Sequence, residues 1–84
     1  MKVSVLMGGT SAEKDVSLKT GEATIKACRE LEHATTPAEL TEDYNSLLPS
    51  LKHADIVFNA LHGTVGEDGT IQSWLDKNSI TYTG

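Results

Sequence analysis

Hydrophobic residues are distributed along this chain in short blocks whose period changes. "KVSVLM" at 2 to 7 is an apolar, β-branched run stopped by Gly8 and Gly9, which predicts a strand buried on both faces, as in parallel sheets. From Val16 the spacing lengthens. Val16, Thr20, Ala23, Ala27 and Leu31, with Cys28 beside Ala27, recur every three or four positions and predict a helix over 16 to 31 with those residues on one face. Gly21 inside that helix costs about 1 kcal/mol relative to alanine, and it is expected to let another backbone come close.

The next segment, "HATTPAEL" at 33 to 40, has threonines that favour a strand, but Pro37 cannot donate to a ladder and confines it to a sheet edge. "TEDYNSLLPSLKHA" places Tyr44, Leu47, Leu48 and Leu51 at helical spacing around Pro49, giving two short turns or a helix that begins at the proline. "DIVFNA" at 55 to 60 reads as a second buried strand. "TIQSWLDKN" puts Ile71, Trp74 and Leu75 on one face of a third helix, and "SITYTG" closes the chain as a short strand. Strands alternating with helices imply right-handed crossovers. The expected fold is therefore α/β, a three-layer α/β/α arrangement around a small parallel sheet of about four strands.

In such a sheet ligands gather at the carboxyl ends of the strands. Two loops leave that edge: "GGTSAEKDVS" after the first strand and "LHGTVGEDGT" after the third. Composition narrows what they serve. With 84 residues the chain is one small domain that buries only about 60 to 65% of its unfolded surface. Twelve acids against seven bases give a net charge of -5, and the lysines are scattered, so no basic face is expected for nucleic acid. The single cysteine, Cys28, excludes an intrachain disulfide and a Cys-rich zinc site. "VSVLM" is too short for a signal-peptide core or a bilayer span; a cytoplasmic location is expected.

The first loop runs from glycines into a helix, where free N–H groups and the helix dipole favour an anion. It has no Gly-Lys-Ser/Thr ending and no third glycine at dinucleotide spacing, so a free-standing nucleotide-binding module is disfavoured. Thr10 and Glu13 also fit a capping box around a plain strand-to-helix turn. Glu13 can hold an ammonium group by charge-assisted hydrogen bonds, and His62 can donate to a carboxylate or to developing negative charge; a histidine bonded to backbone is the structural alternative. Glu67 and Asp68 suit the N-terminus of the third helix whatever else they do. No spacing of His, Asp and Glu makes a metal site, and neither Ser11 nor Ser17 has an evident base beside it.

Taken together, "VLMGGTSAEKDVSLKTG" and "LHGTVGEDGTIQSWLDKNSITYTG" resemble the start of the D-alanine-D-alanine ligases, members of the ATP-grasp superfamily. The resemblance covers the whole chain, and the two motifs are specific as a pair. It implies a Rossmann-like pre-ATP-grasp domain that supplies part of the first D-alanine site. The activity implied is ligation of two D-alanines through an acyl phosphate made with ATP, for peptidoglycan. By the same resemblance Glu13 holds the ammonium group of the first substrate, Val16 lies near its methyl group and His62 approaches its carboxylate. Ser17 and Glu67, with Gly8, Gly9, Gly63, Asp68 and Gly69, order the site.

The chain departs from the family pattern in three places. It stops at Gly84, before the domains expected to bind ATP and Mg2+, so these residues alone are expected to be inactive and to bind neither. Glu32 stands where a glycine commonly stops a helix, and "HATTPAEL" is less apolar than the corresponding strand. The expected partners are D-alanine, the rest of a ligase chain and a second copy in a homodimer, with neither nucleic acid nor membrane. The second substrate, D-alanine or D-lactate, is selected by residues past Gly84. The competing reading is a non-catalytic, ligase-derived dimerisation or scaffold module.

Overall fold

The structure is a computed structural model that describes residues 1–9, 12–41, 43, 45–61 and 69–83. Its elements run β1 (Lys2–Gly8), α1 (Lys14–Glu30), β2 (Ala34–Leu40), a single 3-10 turn (Asn45–Leu47), α2 (Leu48–His53), β3 (Ile56–Asn59), α3 (Thr70–Lys77) and β4 (Tyr82–Thr83). The four strands form one parallel sheet in the order β2-β1-β3-β4. β1 is central because nearly every residue in it is buried, and it pairs with β2 from Lys2 opposite Ala34 to Gly8 opposite Leu40. β2 is the edge strand that Pro37 demands.

Each face of the sheet has its own core. Val3, Val5 and Met7 project under α1 and meet Ile25 and Ala60. Leu6, Leu40 and Val57 project the other way and meet Leu51 of α2 with Ile71 and Leu75 of α3. This alternation is the period of two expected of a pleated strand, and two covered faces give the three-layer α/β/α arrangement. Full burial of a side chain such as Leu75 or Ile71 is worth about 1.5–3 kcal/mol, so α3 is held mainly by its two inward residues. Pro49 lies in the first turn of α2, where its missing N–H costs nothing. Tyr44 lies outside the described residues.

α1 differs from the pattern read along the sequence. It starts at Lys14, with Glu13 as N-cap and no side-chain cap bond, so Glu13 is not the third helical residue that a capping box with Thr10 needs. Its buried residues are Ser17, Gly21 and Ile25. Val16 and Leu31 are 50% and 70% exposed, and Ala23 and Ala27 also face outward. The reason is close packing. A Cβ on Gly21 would stand 2.5 Å from Met7 Sδ and 2.8 Å from Met7 Cβ, so the helix meets β1 through its smallest side chains. The close approach expected of Gly21 is made by the Met7 side chain.

Both long helices end in the same way. His33 N–H donates to the Cys28 carbonyl (3.0 Å) and Glu32 N–H to Arg29 (2.9 Å). Ile80 N–H donates to Leu75 (3.0 Å) and Ser79 N–H to Asp76 (3.1 Å). These are Schellman pairs, with Glu32 (φ 65) and Ser79 (φ 58) in the left-handed region.

Candidate functional site

Strand order fixes where a site can form. β1 leads through α1 to β2 on one side, and the chain then returns past β1 to β3 on the other. The direction reverses between β1 and β3, the switch point at whose carboxyl ends open α/β sheets bind ligands. Both candidate loops leave there.

The first loop begins with Gly8 (φ 90) and Gly9 (φ 88), two left-handed residues in succession that only glycine adopts without strain. Gly9 N–H donates to the Leu40 carbonyl (2.9 Å), which steers the chain across the end of β2 before it turns back into α1. Glu13 and Val16, both exposed, stand in the turn and first helical residues at this edge. One turn of helix joins Glu13 to Ser17, whose N–H donates to the Glu13 carbonyl (3.1 Å). Ser17 is fully buried. Its hydroxyl accepts from Gly8 N–H (2.9 Å) and donates to the Ala60 carbonyl (2.7 Å).

β3 hands over to the second loop through a comparable set of bonds. Ala60 N–H donates to the Leu6 carbonyl (2.8 Å), and Leu61 N–H to Asn59 Oδ1 (3.1 Å). Leu61 is buried, so the chain enters the loop from a fixed point. His62, Gly63, Glu67 and Asp68 lie outside the described residues. Gly69 (φ 87) is the N-cap of α3, and its carbonyl accepts from Ser73 N–H (3.0 Å).

The structure thus places Gly8, Gly9, Glu13, Val16 and Ser17 around the exit of β1, with Gly69 at the start of α3. Reasoning from sequence did not single out Asn59 or Ala60. The signal for Asn59 was a lone amide ending the apolar run "DIVFNA", whereas a backbone carbonyl leaves no trace in sequence. Among the described residues no group of three or more His, Cys, Asp and Glu is placed to hold a metal. Among the same residues no helix is long and apolar enough to cross a membrane.

With this geometry in place, comparison with known proteins is decisive. The family model described as "D-ala D-ala ligase N-terminus" matches residues 42–84. The chain belongs to the D-alanine-D-alanine ligase family. D-alanine-D-alanine ligases of Pseudothermotoga lettingae and Gluconobacter oxydans are 48% and 53% identical to it over 100% and 99% of its length. It spans 28% of the length of each. The fold agrees with that of the D-alanine-D-alanine ligase of Bacillus anthracis, at a TM-score of 0.85 and 38% identity over 100% of this chain and 28% of that one. A second crystal structure of the Bacillus anthracis enzyme, complexed with ATP, gives a TM-score of 0.84 and 37% identity over 99% of this chain and 27% of that one. The chain corresponds to the N-terminal domain of the family.

Proposed function

We propose that this chain is the substrate-side domain of an ATP-dependent ligase that joins two D-alanines for peptidoglycan, and that it contributes the first D-alanine site. The observation that carries this reading is the likeness to D-alanine-D-alanine ligases along the entire chain, with Glu13 and Val16 exposed at the switch-point edge where a ligand would sit. Glu13 holds the substrate ammonium group, Val16 packs against the methyl group, and His62 meets the carboxylate. The domain's part in catalysis is positioning and electrostatics: a fixed amine, and a histidine and helix N-terminus that favour negative charge at the reacting carboxylate.

ATP supplies the phosphoryl group that activates that carboxylate. The first loop does not close with the Gly-Lys-Ser/Thr ending of a phosphate-binding loop. ATP and Mg2+ are assigned to the remainder of the full-length ligase. We assign the protein to the cytoplasm, since a single cysteine suits a reducing compartment, and to a homodimer, because a domain with so thin a core gains stability from a partner. D-lactate as second substrate stays within the proposal.

The test is the intact mass of the native gene product together with phosphate release from ATP. A mass of roughly 30 to 35 kDa, the size of a chain with two or more added domains, and turnover that requires D-alanine are expected. A second reading, a non-catalytic dimerisation or scaffold module, is favoured by Leu31, which is 70% exposed at the end of α1. A 9.0 kDa product that associates in sedimentation and shows no turnover would select it.

A further inference from the structure

We propose that Ser17 is a positioning residue whose hydroxyl holds open the crevice between β1 and β3, setting the gap between the strand ends at Gly8 and Ala60, from which the chain continues to Glu13 and to His62. The proposal rests on the reading of the first D-alanine site given above. Its basis is the register of the sheet. β1 and β3 pair from Val3 opposite Ile56 to Leu6 opposite Asn59, and Ala60 N–H continues the ladder to the Leu6 carbonyl at 2.8 Å. In a parallel ladder the next bond in this register runs from Gly8 N–H to the Ala60 carbonyl.

That bond is replaced. Gly8 N–H donates instead to Ser17 Oγ (2.9 Å), and Ser17 Oγ–H donates to the Ala60 carbonyl (2.7 Å). One oxygen from α1 is therefore inserted into the ladder and relays the hydrogen bond from strand to strand. Gly8 N–H can only donate and the Ala60 carbonyl can only accept, so the orientation of the hydroxyl is fixed. Ser17 is fully buried, which excludes water as a substitute in the native packing. The insertion stands two residues before His62 and one helical turn after Glu13, whose carbonyl accepts from Ser17 N–H (3.1 Å). A single side chain thus links the ends of both strands at the point where they part.

Removing the hydroxyl lets β1 and β3 close by one further hydrogen bond, which draws Gly8 and Ala60 together at the strand ends. Misplacement by about 1 Å costs up to about a hundredfold in a positioned site, so the full-length ligase carrying Ser17→Ala is expected to show a tenfold or greater rise in the KM of the first D-alanine. The KM for ATP stays within about twofold. Ser17→Cys keeps an atom that donates and accepts, and is expected to return the D-alanine KM to within about threefold of wild type. Ile25→Ala, a cavity variant in the buried face of the same helix, serves as the control for simple destabilisation and leaves the D-alanine KM unchanged. Equal KM changes for both substrates, an unchanged KM in Ser17→Ala, or the same KM rise in Ile25→Ala would overturn the proposal.

The geometric half has its own readout. A scalar coupling across a direct hydrogen bond, from Gly8 15N to the Ala60 carbonyl carbon, is expected by NMR in Ser17→Ala and not in wild type. Its presence in wild type contradicts the inserted hydroxyl, and its absence from Ser17→Ala contradicts the closure that makes Ser17 a spacer, even if the protein does not turn over D-alanine. Absence of turnover in wild type would by contrast count only against the functional reading. If Ser17→Ala does not fold, Ser17→Cys decides: a D-alanine KM within about threefold of wild type supports the spacer, and a tenfold rise removes it.

Discussion

Glu32 and Ser79 are the two non-glycine residues in the left-handed region among the described residues, at φ 65 and 58, and each follows the last turn of a helix. Both hold a complete pair of terminal hydrogen bonds, so the conformation is enforced by the helix end and by the chain beyond it. Ile80, next after Ser79, is buried in the same core cluster as Leu75, and that packing fixes the turn. An L-residue in this conformation costs about 1–2 kcal/mol, which glycine avoids. Glycine in turn gains unfolded-state entropy worth about 0.4–1 kcal/mol. The difference leaves Glu32→Gly and Ser79→Gly each more stable by about 0.5–1 kcal/mol. The sites follow helices on opposite faces of the sheet, so the double variant should gain about 1–2 kcal/mol. Thermal unfolding of the 84-residue chain should show each single variant melting about 2–8 °C higher. Alanine is the informative control, because it removes the Glu32 carboxylate but keeps the backbone cost. If Glu32→Ala gains as much as Glu32→Gly, or if Glu32→Gly gains nothing, the backbone argument fails.

Other perturbations follow from the same packing. Gly21→Ala places a methyl 2.5 Å from Met7 Sδ and 2.8 Å from Met7 Cβ; overpacking of about 1–3 kcal/mol should exceed the helix gain of about 1 kcal/mol, and urea unfolding should show the loss reduced, not abolished, in a Met7→Ala background, which removes Sδ but keeps Cβ. At the β2 edge Ala34 N–H and the Leu40 carbonyl face β1, so the backbone groups of Thr35, Pro37 and Glu39 turn outward, where Pro37 offers no donor and Arg29 covers the Thr35 carbonyl at 3.1 Å. Pro37→Thr combined with Arg29→Ala should restore a pairing edge and raise concentration-dependent association in sedimentation above wild type; equal association would contradict the blocked edge. Burial first, then the charge and hydrogen bond of Asp76, raise the Tyr82 phenol above its ordinary 10.0. Because the folded value exceeds the unfolded one, the stability contributed is full below pH 10.0 and is lost as pH rises through the folded value. Ultraviolet titration in a Tyr44→Phe background should show Asp76→Asn lowering the Tyr82 midpoint, and an unchanged midpoint would remove Asp76 as a cause.

Apolar runs and turn residues made most of this fold legible. β1 and β3 are continuous hydrophobic blocks that suit only the middle of a parallel sheet, Pro37 marks an edge, and Ile71, Trp74 and Leu75 declare the inward side of α3. α1 was legible as a helix but not in its facing. Hydrophobicity singles out Val16, Ala23 and Ala27, whereas close approach to β1 selects Gly21, against Met7, and Ser17, against Gly8, and no hydropathy pattern records distance of approach. The candidate site was legible to the extent that glycines, an acid and a histidine follow the strong strands. What could not be read is the hydroxyl between Gly8 and Ala60, because it depends on strand register across 43 residues of separation. Likewise, nothing in "ELEHA" announces Glu32 as a left-handed residue, since the helix end imposes that conformation on whichever side chain stands there.

The central claim is that this domain holds the first D-alanine through Glu13, and calorimetric titration of the full-length ligase and its Glu13→Gln variant tests it most directly. A hydrogen bond to a charged group is worth about 1.5–3 kcal/mol, which corresponds to roughly a ten- to hundredfold loss of affinity. D-alanine binding at the first site should weaken by that factor in Glu13→Gln, with the Kd for ATP within about twofold of wild type. Unchanged D-alanine affinity, or equal losses for D-alanine and ATP, would contradict the account.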